Sequence, residues 1–508
     1  MRFGMGWLRI YAPGWLRRPG ICILWREQTM PTTTSRRAAL RAAAAPLIVR
    51  PQLVRGAGKE KVRAGLVGCG GRGTAAIVEL MAANENVELV AMADVFEDKL
   101  ETSLRGLREG KTRVNNYVGG TILRDGKPHK LTKEEIVERL INGVKVAPDH
   151  RFVGQDAYRK LLQTEIDVVL LITPPGHRPP HFEAAVEARK HVFIEKPVAT
   201  DPVGTRRVMD AARRSRELKL TVLAGTESRY SYQTKETVER IHAGAIGDIV
   251  SLYSYYMSAP VFHVQKREPH WSEVDWQHRN WYSFVWICGD QLVEQAVHQV
   301  DLLNWVMRSH PVKAIGTGGR AWRRDGNPLH GNIYDHMTVE FTYPNGVKML
   351  SVIRHYPRLE HVATQIGSEV MGTKGRSNTR DLATSSDGLV AGLAEQTLLI
   401  NSIRGDGPYF NNAMDVAEST MSCVMGREAA YSGQVVTWEQ VMRSNLDLYP
   451  KDLSPGATVP ADPVRVPGEY KFACGRAPTS GCVPYIATGG RSSPPAAPSP
   501  SRTGSCPR

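Results

Sequence analysis

The stretch "KVRAGLVGCGGRGTAAIVELMAANENVELVAMADV", Lys61 to Val95, restricts the fold of this chain more than any other. Val62 to Val67 reads as a strand, and Gly68-Cys69-Gly70-Gly71-Arg72-Gly73 follows at once. Thr74 to Ala83 reads as a helix, and Val87 to Ala93 as a second strand ending in Asp94. A glycine fingerprint alone says little. Set between strand and helix, with an acid about twenty residues on, it specifies a βαβ unit shaped for a dinucleotide. Gly68 permits the tight turn, Gly70 lets backbone approach a pyrophosphate, and Gly73 allows close helix–strand packing. The helix N-terminus offers free N–H groups and the positive end of its dipole. Asp94 is expected to accept hydrogen bonds from the adenosine ribose and to repel a 2′-phosphate, which favours NAD over NADP. Arg72 is the loop cation that would reverse that preference. Cys69 reads as a small filler.

The rhythm continues in "IDVVLLITPPGHRPPHFEAAVEARKHVFIEKP". Ile166 to Ile172 is continuously apolar, as a parallel strand covered on both faces requires. Thr173-Pro174-Pro175 ends it beside the expected cofactor. Phe182 to Lys190 reads as the crossover helix, and Val192 to Ile194 as the next strand. That strand stops in Glu195, Lys196 and Pro197. Ligands of open α/β sheets sit outside the carboxyl ends of the strands, so this pair faces the crevice. Adjacent side chains on an extended chain point opposite ways, so the two cannot readily pair with each other. Lys196 is expected to point inward. Residues 115–146 interrupt the strand–helix alternation and read as an insertion.

After one more strand in "LKLTVLAGT" (Leu218 to Thr226) the pattern changes. "DIVSLYSYYM" alternates, and "HMTVEFTYPNGVKMLSVIRH" is two alternating runs about Asn345-Gly346, a strong hairpin signal. The expected fold is therefore an N-terminal doubly wound parallel sheet followed by an α+β domain with a mainly antiparallel sheet. Between those strands lies "GDQLVEQAVHQVDLLNWVM". Its apolar spacing predicts one helix through Leu292–Leu303, with Glu294 and His298 four apart on one face and Asp301 three further on. Trp271 and Trp281 precede it; such faces stack on sugar rings, although core packing is their commoner use.

With "GCGGRG", "TPPGHRPPH", "EKP" and "GDQLVEQAVHQVD" in place, the chain from about Val62 to Asp452 resembles the glucose–fructose oxidoreductase/inositol dehydrogenase (Gfo/Idh/MocA) superfamily. The resemblance implies that Lys196 lies beside the nicotinamide and the reacting hydroxyl. It also implies that His298 is the general base, and that the acid four residues before it orients the base or binds substrate. The family often carries Asp at that position; this chain carries Glu294. Candidate cofactor contacts are Gly68, Gly70, Gly71, Arg72, Gly73, Asp94, Thr173, Pro174, His181, Glu195 and Lys196. Candidate substrate contacts are Trp271, Trp281 and Asp301. The implied activity is hydride transfer between NAD(P) and a sugar, cyclitol or related polyol, and the resemblance implies that the mainly antiparallel second sheet is large, open and used for homo-oligomer contacts. Two rivals are a redox-assisted glycoside hydrolase that restores its own NAD, and a non-catalytic dinucleotide sensor. A pure binder needs none of Lys196, Glu294 and His298.

The formal net charge of +14 suggests a polyanion partner until it is located. Residues 1–63 contribute +11 and 466–508 contribute +4, leaving −1 between them. Nucleic acid is therefore not expected as a partner. The seven cysteines show no CxxC or Cys/His spacing, so neither a disulfide framework nor a metal site is expected. No apolar run approaches the roughly twenty residues of a membrane span. "SRRAALRAAAAPLIV", with Arg36 and Arg37, resembles a twin-arginine export signal, and Met30 just before it is a natural alternative start. Periplasmic placement is expected, with a cytoplasmic enzyme as the alternative. The expected division is a leader over 1–60, a nucleotide domain over 61–197, the α+β domain over 198–465 and a disordered Pro/Ser-rich tail over 466–508.

Overall fold

The computed structural model describes residues 61–473, except 125–126, 261–264, 324–326, 359, 385–388 and 455. The leader with Arg36 and Arg37, and the chain from 474 on, lie outside the described residues. The strands are β1 Val62–Val67, β2 Val87–Asp94, β3 Thr121–Arg124, β4 Lys127–Lys130, β5 Arg151–Val153, β6 Val168–Leu171, β7 His191–Ile194 and β8 Val222–Ala224. They continue as β9 Ile249–Ser258, β10 Lys313–Gly319, β11 His336–Thr342, β12 Lys348–His355, β13 Gln365–Gly372, β14 Arg376–Ser377 and β15 Val436–Thr437.

Six strands form a parallel sheet in the order β5-β2-β1-β6-β7-β8. The order reverses between β1 and β6, which places a crevice above their carboxyl ends, where the glycine loop emerges. Every residue of β6 is buried, as helices on both faces require. β8 pairs with β7 (Val192 opposite Val222), so the parallel sheet runs past the division expected at 197, through Ala224. The reason is that Val222-Leu223-Ala224 is a fully buried apolar run continuing the same sheet.

The insertion forms the β3–β4 hairpin and a helix over Lys133–Gly143, opened by a Thr132/Glu135 capping box. It packs against the body through Ile136 and Leu140, which join the core of the helix following β1.

The second sheet has the order β14-β13-β9-β12-β11-β10-β15 and is antiparallel except for β9 with β12. β11 and β12 alternate strictly between buried and partly exposed, around the turn at Gly346 (φ 86°). The buried face packs on the long Ala413–Ser432 helix, so tightly that a Cβ on Gly426 would lie 2.5 Å from the Phe341 ring. The opposite face carries Tyr253 and Tyr255, whose rings stack 6.4 Å apart, paired with Leu350 and Val352 on β12.

Residues 466–473, placed in the tail by the sequence, instead pack on this domain. Phe472 is 7% exposed, its N–H donates to Gln434 Oε1 (3.0 Å), and the Tyr470 hydroxyl donates to Glu428 Oε2 (2.7 Å). An aromatic pair inside a polar segment supplied the burial that its composition concealed. No helix among the described residues is long and apolar enough to cross a membrane.

Gly73 carries the tightest contact in the loop. A Cβ there would lie 1.8 Å from the Gly68 carbonyl oxygen. Gly73→Ala is expected to lower stability by about 3 kcal/mol in urea unfolding, at the upper end of overpacking costs, because backbone rather than a side chain must yield.

Candidate active site

One cavity runs from the glycine loop to the helix that follows Gly289. Its walls include Gly68, Gly70, Gly71, Arg72, Gly73, Asp94, Thr173, Pro174, His181, Glu195, Lys196, Trp281, Glu294 and His298. Ten of the candidate cofactor positions besides Lys196 and all three catalytic candidates thus share one space.

At the nucleotide end, Gly68 has φ 97°, and a Cβ on it would meet the Ile172 and Thr173 backbone at 2.8 Å. A Cβ on Gly70, by contrast, would meet nothing within 4 Å, so this backbone is open to a ligand. Gly70 caps the Gly71–Ala83 helix without a side-chain hydrogen bond, so no side chain caps its first N–H groups. Asp94 is fixed: its Oδ2 accepts from the Cys69 N–H (2.6 Å) and its Oδ1 from the Phe96 N–H (2.9 Å). Burial pushes its carboxyl above the usual range, against those two hydrogen bonds. Each oxygen keeps a lone pair for a ribose hydroxyl. These features fit a dinucleotide.

Arg72 is committed elsewhere. Its Nε donates to Glu195 Oε1 (2.5 Å), its Nη1 to Glu79 Oε1 (2.8 Å), and its Nη2 lies 3.8 Å from Glu395 Oε1. Burial opposes its charge, but these carboxylates hold the guanidinium protonated far above its ordinary value. Glu195, although buried, is held below the usual range by Arg72, Arg178 and Lys196.

At the other end the structure departs from the expected single helix. The chain forms one helix over Asp290–Glu294 and another over Val297–Met307. At the break the Ala296 N–H bonds to Gln291 O (3.1 Å) and the His298 N–H to Gln295 O (3.4 Å). The Glu294 carbonyl, which an unbroken helix would give to His298, accepts instead from Lys196 Nζ at 2.8 Å. Lys196 Nζ also lies 3.6 Å from Glu294 Oε1. Glu294 thus meets Lys196 through both its carbonyl and its carboxylate. Burial raises its carboxyl, and Lys196 and Arg178 pull the other way. Burial, reinforced by Lys196 and Arg72, pushes His298 down to about 3, so the imidazole is neutral with a lone pair available.

Neighbouring segments fix this end. The Lys196–Pro197 peptide is cis. Arg178 Nη1 donates to Pro197 O. The fully buried Arg427 donates from Nη1 to Thr200 O (2.6 Å) and Gly289 O (3.1 Å), joining the chain just after Lys196 to the chain just before Glu294.

Two candidate substrate residues are placed elsewhere. Asp301 is buried in a bidentate pair with Arg229 (2.7 and 2.9 Å) and accepts from Ser419 Oγ (2.8 Å). The helix break and that cation turned it into the core. Trp271 packs its ring 5.0 Å from the Arg279 guanidinium and lies outside the cavity wall, whereas Trp281 lines it. His181 lines the wall from a buried position, with Nδ1 3.3 Å from Thr173 Oγ1, and burial lowers it to about 3.

Sequence reasoning missed His177, His278, Phe96, Gln265 and Arg279, all on the cavity wall. His278 Nδ1 lies 2.7 Å from the Val274 carbonyl and must donate to it, so its Nε2 accepts. His177 then donates through Nε2 (2.9 Å), and its Nδ1 accepts from the Tyr449 hydroxyl (3.2 Å). The signal available for His177 was its place in "TPPGH"; the others are brought in by tertiary contact alone.

The family model described as "Oxidoreductase family, NAD-binding Rossmann fold" matches residues 62–223, and that of the GFO/IDH/MocA C-terminal domain matches 234–377. The chain belongs to the Gfo/Idh/MocA oxidoreductase family. Among curated relatives, the uncharacterized oxidoreductase YrbE of Bacillus subtilis is 24% identical over 221 residues, 43% of this chain and 57% of that protein. The 2,7-anhydro-N-acetylneuraminate hydratase of Escherichia coli is 23% identical over 236 residues, 45% of this chain and 57% of its own. The alignments thus span little more than half of these relatives. The fold is shared with scyllo-inositol dehydrogenase of Lactobacillus casei, solved with NAD(H) and scyllo-inositol. That likeness has a TM-score of 0.53 at 17% identity, and covers 74% of this chain and 99% of that one.

The charge state of His298 is directly measurable. With its value lowered to about 3, the imidazole of the free protein is expected to stay neutral between pH 8 and 5 in NMR titration. A histidine at its ordinary value would gain a proton across that window, near 6.5.

Proposed function

We propose that this Gfo/Idh/MocA protein is an NAD-dependent dehydrogenase of a sugar, cyclitol or related polyol. The observation that carries this reading is the meeting of Lys196, paired to Glu294, with a neutral His298 in the cavity that begins at the glycine loop. Bound nicotinamide would supply the hydride acceptor. The protein's own groups do the rest. His298 takes the hydroxyl proton on its free imidazole nitrogen as the C–H bond breaks. Lys196 donates a hydrogen bond to the same oxygen and stabilises its developing negative charge. The Glu294 carbonyl and carboxylate hold the ammonium at that position, and Trp281 offers an apolar wall to a ring. NAD is preferred over NADP because Asp94 occupies the ribose end, while Arg72, the loop cation, is held by Glu195 and Glu79.

A self-restoring reaction is the second reading, in which transient oxidation is followed by elimination and return of the hydride. The relative named as a hydratase supports it, since hydration involves no net oxidation. Net NADH formation on a polyol favours the dehydrogenase; glycoside cleavage without it favours the alternative. We further propose export through Arg36 and Arg37, and homo-oligomers through the face bearing Tyr253 and Tyr255. Cell fractionation beside an Arg36→Lys, Arg37→Lys variant tests the first, and light scattering the second.

Screening sugars and inositols with the purified protein for nicotinamide absorbance tests the main reading. On the substrate so found, Lys196→Met is expected to reduce kcat by about 10²–10⁴-fold, with NAD affinity within about twofold of the parent. Full activity in that variant would remove Lys196 from the chemistry.

A further inference from the structure

Residues from the second half of the chain line the cavity at the end where Asp94 stands. In a dinucleotide fold the adenine lies beyond the acid that ends the second strand, here past Asp94 toward Val95 and Phe96. Both residues line the cavity there, and so do Lys99, Gln265 and Arg279. Gln265 and Arg279 stand at the two ends of an arch, residues 265–279, and both lie on the cavity wall. The arch is internally braced. Trp276 Nε1 donates to Gln265 O (3.0 Å), and Arg267 donates to Trp271 O (3.2 and 3.1 Å) and to Glu273 (2.7 Å). Its short helix, Glu273–Arg279, starts from a Ser272/Asp275 capping box.

Arg279 ends that helix and reaches the nucleotide domain. Its guanidinium donates to both oxygens of Asp98, at 3.1 and 2.8 Å, and lies 3.9 Å from the centre of the Phe96 ring. Trp271 flanks it at 5.0 Å. Phe96 caps the helix on whose first turn Asp98 lies, and Asp94 holds the Phe96 N–H. One arginine thus fastens the arch to Phe96 and Asp98, two and four residues past Asp94. The Arg279 side chain is 17% exposed and that of Asp98 57%, so aromatic contact shelters the cation while its anionic partner stays in reach of salt.

We propose that the Arg279–Asp98–Phe96 contact is a bolt over the adenosine end of the cofactor, which must open before dinucleotide leaves. It rests on the NAD-binding reading above and adds to it the residue that controls retention. Arg279 is a positioning residue, since it acts through the arch rather than on the reacting atoms. The bolt holds wherever Asp98 is ionised, and the Arg279 hydrogen bonds keep that carboxyl below its usual range.

The test is a displacement experiment on the full chain. NADH is bound, chased with excess NAD⁺, and its fluorescence followed by stopped flow. Arg279→Ala is expected to release NADH about tenfold faster than the parent, in line with loss of a sheltered cation–π contact together with an ion pair. Asp98→Asn, which retains the ring contact, is expected to fall between the two. Raising the salt concentration is expected to speed release from the parent but not from either variant, because only the parent has the ion pair to screen. A variant that is merely less stable would not lose this salt response. Unchanged release in both variants overturns the bolt and leaves the dehydrogenase reading standing. If the parent binds no dinucleotide, both fall.

Discussion

Glu195 and Lys196 are neighbours on a strand end and therefore point apart, and the site is organised by what each one finds. Glu195 turns to Arg72 and so to the glycine loop. Lys196 turns to Glu294 and so to the second half of the chain. Two residues at the mouth of β7 thus tie the glycine loop to the helix break that carries Glu294. Buried arginines lock the arrangement from behind, Arg178 through Pro197 O and Arg427 through Thr200 O and Gly289 O. A buried cation without partners is costly, so these guanidinium groups are held to those carbonyls as firmly as the carbonyls are held to them.

The charge around Arg72 is lopsided. Glu79, Glu195 and Glu395 converge on it, with Glu227 close enough to be felt. Burial, together with Glu79, pushes Glu395 well above the usual carboxyl range. The Tyr117 hydroxyl donates to Glu79 Oε1 at 2.7 Å, bringing the insertion into contact with the same network. The loop that is expected to face a negatively charged pyrophosphate is therefore backed by acids. Within the loop, attraction for the phosphates falls to backbone N–H groups and the helix dipole, since its one side-chain cation is already paired, while the Arg113 guanidinium stands beside it at Gly71.

Local chemistry was legible in the sequence and long-range chemistry was not. The glycine loop, β1, β2 and the hairpin at Asn345-Gly346 follow from period and turn residues, which need no knowledge of the partner. The crossover helix starts at Arg178 rather than Phe182, because Pro179 and Pro180 sit in its first turn and disguise the start. The break at Gln295–Ala296 left no trace, since Leu292 to Leu303 keeps helical spacing and contains neither Gly nor Pro. Asp301 looked like part of the site on that assumed helix, but Arg229, 72 residues away, claims it. Arg279 and Asp98 stand 181 residues apart, and nothing at either position signals the other. The second domain runs past 465 for a similar reason: one phenylalanine outweighs a polar context when a pocket exists to receive it.

The interrupted helix has a consequence for how this protein can change. A continuous helix through 290–307 would replace the irregular bond from the His298 N–H to Gln295 O with a regular one to the Glu294 carbonyl, and would be the natural target of any effort to make the protein more heat-resistant. That same bond would reclaim the Glu294 carbonyl from Lys196. Robustness and the hold on Lys196 are thus set against each other at a single peptide group, so substitutions near Gln295 that harden the fold would be expected to release the lysine. Laboratory evolution toward thermal tolerance should consequently find its gains elsewhere, in the outer helices and the insertion, and leave this irregular turn untouched.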